Sequence, residues 1–306
     1  MSNETDFQSD LERILTDAKL PALPQSAIRL LELSQDPANG PVEFAMPIEA
    51  DPGLTGQVLK FVNSSYFGFS REISSVKLAI TLVGIRTIKN FAIWSAVFSL
   101  MPNPKCGPFA LKALWQDSLR RALFARAHAK LLGIKEPDEQ FAAALLQDMA
   151  VPLLAKENTK SYVELLAARK NGRVRLSHLE KQSFGWTHSE AAGMMARQWN
   201  LPEEFAAMIE NHHAIEQYVA NPQANPGKTA VALSALLPTV ADPEWTECRL
   251  FEQYYDQTVP RGSTTVAEML AQIDEQFVNF APVLKVSSPR KSLVECYQEV
   301  VAAAAG

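Results

Sequence analysis

The chain predicts an all-α fold, and three observations carry that expectation. Period-two alternation of apolar and polar residues, the mark of a half-buried strand, is scarce. Helix start and stop residues recur instead: Asp51-Pro52, Thr187-His188-Ser189-Glu190 and Leu201-Pro202 open segments, while Gly84, Gly133 and Asn171-Gly172 close them. Lastly, Phe141, Ala144, Leu145 and Asp148 fall at i, i+3, i+4 and i+7, on one face of a helix. Three of the four are apolar, so the face points inward and takes a carboxylate with it. An ionised carboxylate in a core is costly unless it is paired or holds a cation. Asp148 is therefore the first candidate functional residue.

Taken in order, residues 7–18 carry Phe7, Leu11 and Leu15 at helical spacing, and Leu20-Pro-Ala-Leu-Pro24 is a rigid lead-in. Ala27, Leu30, Leu31 and Ser34 mark a helix face stopped by Asp36-Pro37. The segment 42–50 should be kinked or short, because Pro47 sits within it. Asp51 caps a helix through Val62, and an aromatic turn, Tyr66-Phe67-Gly68-Phe69, follows. Ser74 or Ser75 caps the helix 76–83. The helix 85–100 is apolar on most sides and therefore buried. Met101-Pro-Asn-Pro-Lys-Cys-Gly-Pro108 reads as a linker and sets a subdomain boundary. Helices are expected over 109–132, 141–148, 161–169, 176–182 and 187–199, with one from Val151-Pro152 ending before Lys156 and one from Leu201-Pro202 that carries His212. Further helices are expected near 228–237, 246–255, 265–279 and 291–304.

Composition sets the outer limits. The 306 residues are 47% hydrophobic and 21% charged, enough for a large core or two subdomains. The net charge of −5 and the lack of any Lys/Arg block give no invitation to DNA. The polar, acidic start lacks the basic and apolar parts of a signal peptide. The apolar stretches near 92–101 and 230–240 are too short or too interrupted to span a bilayer. Cys106, Cys248 and Cys296 match no zinc or disulfide spacing, so they are expected as reduced thiols in a cytoplasmic protein.

Several segments, in order, resemble the HDOD family, the HD-related output domain of bacterial signalling. They are Leu20–Pro24, Ile48-Glu-Ala-Asp51-Pro52, Leu59–Ser64, Ile73–Ile80 with Leu82-Val-Gly84, Leu114–Ser118, Ala144–Asp148, and Trp199–Pro202 through Ile209–His213. The resemblance implies an N-terminal helical subdomain packed on an HD-domain-like bundle. The expected division is an N-terminal extension (1–19), an HDOD domain (20–213, split into 20–105 and 109–213), and C-terminal helices (214–306) that complete or extend the bundle. It implies a stand-alone regulatory scaffold whose partners are proteins of a bacterial signalling pathway, with a nucleotide in the old pocket as a further ligand.

The resemblance also allows a test of the hydrolytic site. Related HD-GYP phosphodiesterases place ligands in the order His, His-Asp, His, His-His, Asp, around divalent cations that activate water. Here the matching positions are Asp117, Gln147-Asp148, His188, His212-His213 and the stretch at Ser234, where no carboxylate stands. Asp117, Gln147 and Ser234 are thus the degenerate positions, and the Gly-Tyr-Pro signature is missing. Gln offers one neutral oxygen, a poor substitute in a tight divalent site. The expectation is no catalytic residue and no firm cofactor. A residual divalent metal held by Asp148, His188, His212 and His213 stays open, as does a weak or altered metal-dependent phosphohydrolase. Each residue also has a plainer role. Asp148 would accept backbone N–H groups of the next helix, Asp117 would make a surface ion pair with Arg120 and Arg121, and His188 would serve a capping box. His212 would be a core histidine on a carbonyl, and His213 would face solvent.

Overall fold

The structure, a computed structural model, describes residues 11–16, 20–282 and 284–305. Among the described residues it is helical throughout, without strands. Phe7 and the ends of the 7–18 segment lie outside them; residues 11–16 are helical and bury Leu11 and Leu15.

The caps act where the sequence puts them. The Asp51 carboxylate accepts the Leu54 N–H at 3.0 Å and opens the helix Pro52–Val62. Ser75 does the same for Val76–Val83, which Gly84 ends at φ +100°, a conformation open to glycine. Thr187 and Glu190 exchange bonds in a capping box that starts His188–Gln198. The helix that contains Pro47 is short, nine residues over Pro41–Glu49. Pro47 stands in the last turn, where a missing N–H costs only one bond.

The helix Asp138–Leu146 lies at the centre. It packs against Leu111–Leu131, Ile85–Leu100, Glu203–Glu210 and Pro226–Ser234. Its inner residues Ala143, Ala144, Leu145 and Leu146 are almost wholly buried. The helix ends two residues before Asp148, which rides on the turn that leads into Ala150–Glu157. That following helix continues past Lys156 to Glu157, two residues further than the sequence suggested.

An aromatic seam joins the early helices to the later ones. Phe61 stacks on Phe91 at 4.1 Å, Trp94 meets Phe98, and Phe98 meets Trp115 at 4.1 Å. Phe280, from the helix Val266–Phe280, contacts Phe61, Tyr66 and Phe141. The Arg126 guanidinium lies over Tyr66 and Phe141, 4.7 and 5.0 Å from their centroids. Phe61, Phe91, Trp94, Trp115 and Phe280 are buried in the core, and Tyr66, Phe98 and Phe141 pack against it. All three cysteines are free thiols. Among the described residues, no helix is long and apolar enough to cross a membrane.

Candidate functional site

Asp148, His188, His212 and His213 come from three separate stretches and meet at one point. The turn after Asp138–Leu146 supplies Asp148, the first turn of His188–Gln198 supplies His188, and the residues just past Glu203–Glu210 supply the His pair. His188 Nε2 lies 3.3 Å from Asp148 Oδ1 and 3.0 Å from His213 Nε2. His212 Nε2 lies 3.6 Å from the same Asp148 oxygen. One nitrogen from each of the three imidazoles falls within 4.8 Å of the others.

The second Asp148 oxygen is taken by Arg121, in a salt bridge buried on both sides. This corrects the plain reading of Asp148, whose partners are side chains rather than backbone N–H groups. Burial works against the Asp148 charge, but Arg121 and His188 outweigh it and hold the carboxyl well below its usual range. Asp117, one turn before Arg121, is also not on the surface. It is buried and accepts the Val240 N–H at 2.8 Å. Arg121 makes its salt bridge with Asp148, and burial pushes the Asp117 carboxyl up to about 7 against the opposing charge of Arg121. Arg120 is likewise buried and donates to the Lys291 carbonyl.

His188 is not a mere capping residue. It is 3% exposed, and Glu180, wholly buried, accepts from its Nδ1 at 2.6 Å and from its backbone N–H at 2.8 Å. The other Glu180 oxygen accepts from Tyr162 Oη at 2.7 Å. Burial opposes charge on His188, yet Glu180 and Asp148 push its pKa up to about 10. The short contact to His213 needs one donor and one acceptor, so a charged His188 donates to a neutral His213. His213 is half-buried rather than solvent-facing, and burial with its imidazole neighbours keeps it neutral. His212 Nδ1 donates to the Ile209 carbonyl at 2.6 Å, the expected carbonyl partner. Its unprotonated Nε2 then lies beside the Asp148 carboxylate without a hydrogen-bond partner. Burial pushes its pKa down to about 3.

Two of the degenerate positions touch each other. Ser234 Oγ lies 3.4 Å from Gln147 Oε1, and both side chains are fully buried. A two-metal hydrolytic centre does not fit these residues. Arg121 holds one Asp148 oxygen, and Gln147 and Ser234 offer only neutral oxygens, with the Ser234 proton given to the Val231 carbonyl at 2.6 Å. A single divalent ion fits the three imidazoles once the His188 proton has left.

Sequence reasoning missed Arg121, Glu180 and Tyr162. Glu180 left no signal, since an acid in a polar helix resembles a solvated residue. The signal for Arg121 was its i+4 spacing from Asp117, which was read as a surface pair. Beside the cluster lies an open cavity of about 350 Å³, floored by Asp148, Arg121, Asp117, His188 and His213. Its outer wall comes from residues 169–175 and 235–247.

This all-helical frame, with its His and Asp cluster between helices, is that of an HD-type domain. The chain belongs to the HDOD domain family, whose profile matches residues 20–215. Curated relatives include an uncharacterized protein of Treponema pallidum, 24% identical over 195 residues (62% of this chain, 37% of that protein). YuxH of Bacillus subtilis, also uncharacterized, is 25% identical over 173 residues (56% of this chain, 41% of that protein). The chain thus spans about two-fifths of the length of these relatives. Among solved structures, an HDOD domain protein of unknown function from Geobacter sulfurreducens matches at TM-score 0.60 and 21% identity, over 96% of this chain and 95% of that one. A candidate phosphohydrolase from Shewanella amazonensis matches at 0.69 and 21%, over 89% and 97%. A candidate signal transduction protein from Marinobacter aquaeolei matches at 0.63 and 19%, over 93% and 65%. At these identities the likeness establishes the fold.

Proposed function

We propose that this chain is a non-catalytic signalling scaffold of the HDOD type, in which a former metal site has become a binding pocket. The observation that carries the reading is the Arg121 guanidinium on Asp148, with the neutral side chains of Gln147 and Ser234 at the positions of two further ligands. An internal cation neutralises the carboxylate that a metal would otherwise need, and it activates no water. The partners are proteins of a bacterial signalling pathway, in keeping with the name given to the Marinobacter relative. Residues 20–213 form the regulatory module in this reading, with 214–306 completing its bundle.

The cavity suits a small ligand rich in acceptor oxygens, such as a nucleotide. Among the groups lining it, Arg121 Nε, Arg169 Nε and His213 Nδ1 are buried without a partner. The two guanidinium nitrogens can only donate. With His213 Nε2 accepting from His188, its Nδ1 carries a proton as well. Buried donors of this kind are costly until an acceptor meets them.

The three clustered imidazoles support a second reading, a weak single-metal phosphohydrolase. The two separate on one preparation. Protein purified without chelator is assayed for bound transition metal and for cyclic dinucleotide hydrolysis. Sub-stoichiometric metal and no turnover are expected. Stoichiometric metal lost in Asp148→Ala, together with turnover, overturns the scaffold reading.

A further inference from the structure

The outer wall of the cavity is held by charge. Three arginines from residues 169–175 each meet a carboxylate from residues 242–247. Arg169 Nη2 lies 2.5 Å from Asp242 Oδ2, Arg173 lies 3.9 Å from Glu244, and Arg175 is bonded to Glu247. Thr246 Oγ1 adds a bond to the Gly172 carbonyl at 3.1 Å. The two segments are in contact at Gly172, where an added Cβ would stand 2.7 Å from the Asp242 carboxyl. Thr239 donates to Asp242 at 2.7 Å, and Val240 is tied to Asp117 on the cavity floor. Arg169, Asn171, Gly172, Arg175, Asp242 and Glu247 all line the cavity.

We propose that these two segments form a strap latched by ion pairs, and that its release controls access to the cavity. The inference rests on the reading of the cavity as a ligand site. The three pairs run in register, so they act as one fastening rather than as scattered surface contacts. The inner two are half-buried, with the arginines 19% and 21% exposed, which shields them from salt more than the outer pair at 69%. Trp245 anchors the 242–247 segment in the apolar core, with its Nε1–H donated to the Leu236 carbonyl, while the bonds between the two segments named above are all polar. An anionic group entering the cavity would compete with Asp242 and Glu247 for the same guanidinium forks. Ligand entry and strap release are then one exchange of partners.

Access is read without any ligand, from the rate at which diethyl pyrocarbonate modifies His213, followed by mass spectrometry. His178 is exposed and serves as the reference; His128, buried against Phe124 and Tyr255, reports loosening of the core. In Arg169→Gln/Arg175→Gln, His213 should react roughly three- to tenfold faster, with His178 and His128 unchanged, as expected when pairs of modest strength stop holding a local opening closed. The swap Arg175→Glu/Glu247→Arg should stay within about twofold of the wild-type rate. Amide hydrogen exchange over 239–247 should rise with the His213 rate. An unchanged His213 rate overturns the strap, and so does a rise shared by His128, which would mean general unfolding. Because no ligand is added, failure here is distinct from the metal-and-turnover result that would overturn the scaffold reading.

Discussion

At the scale of single residues, the buried histidines decide how the fold meets acid. His128 Nε2 donates to Thr258 Oγ1, whose own proton goes to a backbone carbonyl, and burial pushes the His128 pKa down to about 3. Its ordinary value is 6.5. The unfolded chain therefore binds a proton that the folded one refuses. The stability this group gives is present above pH 6.5 and is lost as pH falls toward 3. The loss should be about 1.4 kcal/mol per pH unit over that window. His128→Phe should unfold with a shallower dependence on pH between 6.5 and 4, measured by urea titrations at each pH. An equal slope in the variant would contradict this. Residues of this kind were only partly legible. Asp148 announced itself, because a carboxylate on an apolar face must have a partner. Which partner it takes depends on Arg121, 27 positions away, and no local pattern carries that. Glu180 behind His188 was invisible for the same reason.

At the scale of elements, local chemistry was highly legible. Asp51, Ser75 and Thr187 each cap the helix that the sequence assigned to them, because an N-cap needs only its neighbours. Ends set by tertiary contacts were not legible. The Ala150–Glu157 helix passes Lys156, and the turn at 147–149 interrupts the periodicity that seemed to carry Asp148. The loop at Gly172 combines both kinds of constraint. Its φ of +93° favours glycine, and Asp242 fills the space where a side chain would begin. Gly172→Ala should lower stability by about 1–3 kcal/mol, read as a shift in the urea midpoint. Exchange over 239–247 should rise as Asp242 is pushed from Arg169.

At the scale of the whole molecule, the family resemblance stopped near residue 213, but the core does not. Leu233, Phe251, Tyr255, Leu270 and Phe277 are buried in the same apolar cluster as Leu119, Leu123 and Phe124. Each such side chain contributes roughly 1.5–3 kcal/mol when buried, against a net stability of about 5–15 kcal/mol for a domain. A chain ending at His213 should therefore lose cooperative thermal unfolding and bind a hydrophobic dye. A sharp transition in that truncation would refute the expectation. The tail was hard to read because its helices are amphipathic without any motif, and their partners lie more than a hundred residues earlier. The contact between Gln147 and Ser234 has an evolutionary consequence. On the scaffold reading, Gln147→His alone would set an imidazole against a serine hydroxyl, in a fully buried space shaped for an amide. Ser234→Asp alone would bury a second carboxylate beside a glutamine. Neither change frees Asp148 from Arg121. Each single reversion meets neighbours that have already settled elsewhere, so the loss works as a ratchet, and a route back to a hydrolase needs three distant positions to change together.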